Sequence, residues 1–114
     1  MTAGKENAMV AHIVLFRPRP DVTPAAKQAM LDALAAASAE IPSVRRFQVG
    51  ARITHGPQYE RLMTEEYPYA AVVEFDDLAG LQAYLQHPRH QALGELFYQL
   101  LEKALAYDYE MARP

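Results

Sequence analysis

The chain has 114 residues, 51% of them apolar, a net charge of −3 and no cysteine. That length specifies one domain with a real core, and the apolar fraction excludes a disordered chain. The missing thiols exclude disulfides, thiolate catalysis and cysteine-based metal or iron–sulfur centres, and the slightly acidic balance excludes the basic face a nucleic-acid protein needs. No apolar run approaches the roughly 18 residues of a membrane span, so no membrane partner is expected, and the reducing cytoplasm is the expected location. Residues 1–8 are polar and lack the apolar stretch of a secretory signal. They are expected to form a flexible N-terminal extension ahead of a single domain over 9–111.

In chain order, Val10–Phe16 is short, apolar and β-branched and reads as a buried strand, ended by Arg17-Pro18-Arg19-Pro20. His12, Val14 and Phe16 share one of its faces; Ile13 and Leu15 share the other. Thr23-Pro24 is a helix start, a hydroxyl N-cap followed by proline in the first turn. Ala26, Met30, Ala33, Leu34, Ala37 and Ile41 then recur at helical spacing until Pro42 stops the helix. Val44–Ile53 reads as a second strand with Phe47, Val49, Ala51 and Ile53 on one face. The polar stretch from Thr54 to Pro68 is the longest irregular segment.

Tyr69–Phe75 is a third strand, apolar on both faces except at Glu74. Asp76-Asp77 caps a second helix carrying Leu78, Leu81, Ala83 and Leu85, interrupted at His87-Pro88. Leu93, Leu96, Phe97, Leu100, Leu101 and Ala104 give a third helix the strongest amphipathic signal in the chain. From Leu105 to Met111 apolar and polar residues alternate, which predicts a fourth strand with Asp108 and Glu110 on a solvated face. The order β-α-β-β-α-α-β predicts an α+β, ferredoxin-like fold: a four-stranded antiparallel sheet with helices on one face. The other face, apolar and bare, predicts a two-fold homodimer in which two sheets enclose a barrel-like core. Tyr107 and Tyr109 suit that interface.

The chemistry concentrates in Tyr84-Leu85-Gln86-His87-Pro88-Arg89-His90, where a phenol and two imidazoles stand beside a proline. Tyr84 and His90 are the catalytic candidates: a histidine base that removes a proton next to a carbonyl, and a phenol that donates to the oxygen as charge develops. The bland reading is that Tyr84 is a core residue and His90 merely starts a helix. His87, before Pro88, reads first as a hinge residue whose ring caps a helix end, and second as a pocket residue. His12 is a core histidine or a pocket residue on its strand. His-x-x-His broken by proline is a poor zinc spacing, so no metal is expected, and neither a haem ligand set nor a phosphate-binding glycine loop is present.

His12-Ile13-Val14-Leu15-Phe16, Ile41-Pro42-Ser43-Val44, Val73-Glu74-Phe75-Asp76-Asp77, the Tyr84–His90 stretch and the closing Tyr107-Asp108-Tyr109-Glu110 together resemble the stress-responsive α/β-barrel (Dabb) domain family of dimeric α+β barrels. The resemblance covers about 9–111. It implies a homodimer, no cofactor, and a small apolar or aromatic molecule bound near Tyr84 and His90. It carries the catalytic tyrosine and histidine of a plant polyketide cyclase onto those two residues, and pocket positions onto His12 and Tyr69. The Tyr69 position departs from the histidine found there in the cyclase, and the 54–68 segment is longer than the cyclase's. Three functions follow. The first is small-molecule binding with cofactor-independent cyclase or lyase chemistry. The second is a non-catalytic, stress-associated structural or dimerisation role. The third is a cofactor-free monooxygenase, as on related barrels.

Overall fold

In a computed structural model describing residues 9–114, the elements follow the expected order: β1 (Met9–Pro18), α1 (Pro24–Glu40), β2 (Arg46–Ala51), β3 (Tyr69–Phe75), α2 (Leu78–Gln86), α3 (Pro88–Leu100) and β4 (Leu101–Met111). The extension expected over residues 1–8 lies outside the described residues. A short 3-10 helix, Gln58–Leu62, interrupts the long connection before β3. The four strands make one antiparallel sheet in the order β2-β3-β1-β4, so β1 and β3 are central and β2 and β4 are edges. Among the described residues no helix is long and apolar enough to cross a membrane.

Local chemistry sets the helix ends. Thr23 accepts from the Ala26 N–H at 3.1 Å and Pro24 opens α1; Ile41, ahead of Pro42, already has extended backbone. Asp77 Oδ1 accepts from the Gly80 N–H at 2.8 Å and starts α2. Gly80 also packs closely, because a Cβ there would stand 3.2 Å from the Phe75 Cβ. The Ser43 hydroxyl donates to the Gly80 carbonyl at 2.8 Å and ties the α1–β2 connection to this turn.

Strand alternation divides the sheet into two unlike faces. Val10, Phe16, Ala71, Val73 and Phe75 point at the helices and form the core with Met30, Leu34, Ala37, Leu81, Tyr84 and Leu93. Burying each large side chain there stabilises the fold by about 1.5–3 kcal/mol. The opposite face carries Ile13 and Leu15 of β1, Ala70 and Val72 of β3, and Leu105, Tyr107, Tyr109 and Met111 of β4. No helix among the described residues covers it, and the four β4 side chains are 37–56% exposed.

The strands differ from the sequence reading at their ends. β1 continues past Phe16, because β4 still pairs with it where β3 has stopped (Arg17↔Lys103, Pro18↔Leu101), with a bulge at the proline. β2 is shorter than Val44–Ile53, and Ile53, beyond its end, is 78% exposed. α3 stops at Leu100, and Leu101 and Ala104 belong to β4, which starts directly after it. Leu101 satisfies both patterns at once. Its N–H closes the last helical turn on the Phe97 carbonyl, while its backbone is already extended and its side chain still packs against the core.

Phe75, fully buried, should be among the costliest positions to truncate. Phe75→Ala is expected to destabilise by about 3–5 kcal/mol, and Tyr98→Ala, at an 87% exposed position, by less than about 0.5 kcal/mol. Urea unfolding measures both, and equal effects would contradict this core.

Candidate functional site

Tyr84 lies on the buried side of α2, with 2% of its surface exposed, over the helix-facing side of the sheet. Its ring packs on Phe75 (centroids 5.2 Å apart) and Phe47 (6.4 Å). Two imidazoles flank it, His90 at 4.7 Å and His12 at 5.8 Å. The beginning of α3 brings His90 there. His87 ends α2 and caps α3, its Nδ1 accepting from the Arg89 N–H at 3.0 Å, and Pro88 opens the new helix. One nitrogen of the His87 ring is thus committed to the helix break, as the hinge reading expects. Arg89 pairs with Glu40 at 2.9 Å and fastens the start of α3 to the end of α1.

The sheet supplies His12. In the strand register Phe47, Val73, His12 and Asp108 stand side by side across all four strands. His12 Nδ1 lies 2.6 Å from Asp108 Oδ1, with 11% of the histidine side chain and 47% of the aspartate exposed. A carboxylate only accepts, so Nδ1 donates and Nε2 is left as the second nitrogen. Sequence reasoning assigned Asp108 to a solvated face and missed this contact. Alternation already set Asp108 apart from Tyr107 and Tyr109, but only the β1–β4 register shows that it meets a histidine.

His90 has its own orienting partner, the Leu85 carbonyl, 3.1 Å from its Nδ1. A carbonyl cannot donate, so Nδ1 carries the proton and the neutral ring keeps a lone pair on Nε2. Partial burial lowers the His90 pKa below the ordinary histidine value; the Leu85 carbonyl opposes this shift and the neighbouring His12 adds to it. His90 is therefore a neutral base at physiological pH. Burial pushes the Tyr84 phenol up to about 12, so it remains a hydrogen donor. His90 borders an open groove of about 540 Å3 formed with Leu85, Gln91, Gly94, Glu95, Tyr98 and Gln99.

Tyr69 is not part of this cluster. It pairs with Phe16 at the other end of β3, four residues from Val73 and so about 13 Å along the strand, and its ring stacks on Phe16 at 5.6 Å. Among the described residues no three His, Asp or Glu side chains converge to hold a metal ion.

The Dabb family model, the stress responsive A/B barrel domain, matches residues 10–111. The chain belongs to this family. A curated relative of this Dabb chain is olivetolic acid cyclase from Cannabis sativa, 24% identical over 100 residues, 88% of this chain and 94% of the cyclase. Among solved structures, a dimeric protein of unknown function with a ferredoxin-like fold from Bacteroides fragilis is 32% identical, with a TM-score of 0.66 over 90% of this chain and 96% of its own. Hydroxynitrile lyase from Passiflora edulis, 17% identical, shares the fold with a TM-score of 0.81 over 95% of this chain and 97% of its own.

The buried phenol makes a pH prediction for this Dabb domain. The folded state favours neutral Tyr84, so its contribution is complete below the ordinary phenol pKa of 10 and is lost as pH rises from 10 to about 12. The loss is on the order of 2–3 kcal/mol. Chemical denaturation across that range is expected to show it in the native chain and not in Tyr84→Phe.

Proposed function

We propose that this Dabb domain binds a small apolar or aromatic carbonyl compound beside Tyr84, His90 and His12 and moves a proton there without a metal or cofactor. The observation that carries this reading is the pairing of two tuned groups: a phenol held protonated by burial and, at 4.7 Å between ring centroids, an imidazole whose free nitrogen is a base. His90 Nε2 takes a proton from the carbon next to the carbonyl, and the Tyr84 hydroxyl hydrogen-bonds the oxygen as negative charge develops. The carbanion equivalent then attacks a second carbonyl carbon of the same molecule, forming a carbon–carbon bond. The proton held by His90 passes to the oxygen of that second carbonyl. Asp108 acts through His12 as a positioning residue, fixing the ring on the wall of the site. The similarity to a plant cyclase supports ring closure as the reaction class.

Activity on linear polycarbonyl compounds is the direct test, with carbon-bound deuterium uptake followed by NMR as a first assay. His90→Ala and Tyr84→Phe are each expected to lower the rate by about 10²–10⁴-fold while the chain stays folded. The acid limb of the rate profile should fall below pH 6.5, because His90 stays neutral to lower pH than a free histidine. Full activity in both variants would sink the proposal.

The near-complete burial of Tyr84 favours a second, non-catalytic reading, in which the His90–Leu85 contact only locks the junction of α2 and α3. In that reading no turnover is found with any substrate and His90→Ala lowers thermal stability.

We also propose that the chain is a homodimer through its bare sheet face, an assembly supported by the dimeric relatives of the same fold. Sedimentation at micromolar concentration is expected to give about twice the 12.8 kDa chain mass. Tyr107→Asp, which sets a charge on the β4 side of that face beside Ile13, should shift the chain to monomer. A monomeric native chain would refute the dimer.

A further inference from the structure

A cavity of about 360 Å3 lies against the bare face of the sheet, away from Tyr84 and His90. Its cause is legible residue by residue. Gly50 of β2 pairs with Ala70 of β3, which pairs in turn with Leu15 of β1, so two neighbouring strands project nothing larger than a methyl group at that row. A Cβ built on Gly50 would meet no atom within 4 Å. Met63 and Tyr67 from the long connection form the outer wall and Tyr69 borders the end of the sheet.

The wall is pinned by ion pairs. Lys103 of β4 holds Glu65 at 2.6 Å and keeps its carboxyl below the usual range. Arg52 pairs with Glu66, and Arg17 donates to the Glu66 carbonyl at 3.1 Å and to Glu102 at 3.0 Å. Exposed contacts of this kind contribute little singly, but together they fix one short segment across β1, β4 and the end of β2. The charged groups of the lining, Arg52 and Glu65, each already have a partner, so an ionic ligand would have to break a pair. Uncharged apolar surface only has to displace water.

We infer that this cavity, a separate site from the Tyr84–His90 cluster, binds a flat, uncharged aromatic molecule between the Met63–Tyr67 segment and the Gly50–Ala70–Leu15 row. Its volume falls within the range of about 300–1,000 Å3 usual for small-molecule sites, and Tyr67 supplies aromatic surface for stacking, the Tyr69 ring being turned to Phe16 on the other face. The inference does not rest on proton transfer at His90. In the proposed dimer the partner's sheet would roof the cavity, so binding is to be read on the chain in its native assembly.

The probe is Nile red, which is flat and uncharged, titrated into the full chain and followed by fluorescence. Saturable binding with one dye per chain is expected. Gly50→Leu builds into the hollow and should raise the Kd by at least about tenfold; Ala70→Leu does the same from the next strand and decides the matter if Gly50→Leu misfolds or changes its sedimentation. His90→Ala should leave the Kd within about twofold. Undiminished binding in the cavity variants, an equal loss in His90→Ala, or no saturable binding to the native chain would each overturn the inference.

Discussion

The site depends on the break that Pro88 imposes between α2 and α3. Residues 84 and 90 are six apart, and in one continuous helix their side chains would point about 120° apart around the axis. Pro88 cannot continue α2: it lacks the N–H, and it forces His87 into extended backbone. His87 then serves both helices, closing α2 with its N–H on the Tyr84 carbonyl and capping α3 with its ring. The turn that follows sets His90 against Tyr84 and lets its Nδ1 reach the Leu85 carbonyl. One proline therefore fixes the position, the tautomer and the solvation of the proposed base together.

The second constraint is the register of the sheet. The row Phe47–Val73–His12–Asp108 runs from one edge strand to the other beneath α2, apolar at one end and ionic at the other. Tyr84 sits over this gradient. Its ring is desolvated by Phe47 and Phe75, while its polar neighbours are the two histidines. The same pleat that sends His12 and Asp108 toward the helices sends Ile13, Tyr107 and Tyr109 to the bare face. The candidate site and the bare face proposed for dimerisation are thus alternate residues of the same two strands.

Much of this was legible in the chain. The caps at Thr23 and Asp77, the stop before Pro42, the third strand Tyr69–Phe75 and the helix break at Pro88 depend on interactions within a few residues, and all lie where the sequence places them. The junction of α3 and β4 was not legible. Phe97, Leu100 and Leu101 fit a helical period, Leu101 and Lys103 also begin a strand period, and no glycine or proline separates the two. Pairing with β1 over residues 17 and 18 decided in favour of the strand. The partner of exposed Asp108 was missed for a related reason. An acidic residue on an edge strand is usually solvated, and nothing nearby in the chain points to a histidine 96 residues away.

By itself the sequence determined the order of elements, the two-faced character of the strands and the grouping of Tyr84, His87 and His90 around a helix break, because each follows from local backbone chemistry or from side-chain periodicity. Only the tertiary structure decided that His12 meets Asp108, that Tyr69 lies at the far end of β3 from Tyr84, and that Gly50 and Ala70 leave a hollow on the bare face. Those are questions of which residue stands opposite which across strands distant in the chain. Strand register is set by the packing of the whole sheet, and a single sequence carries no local signal for it.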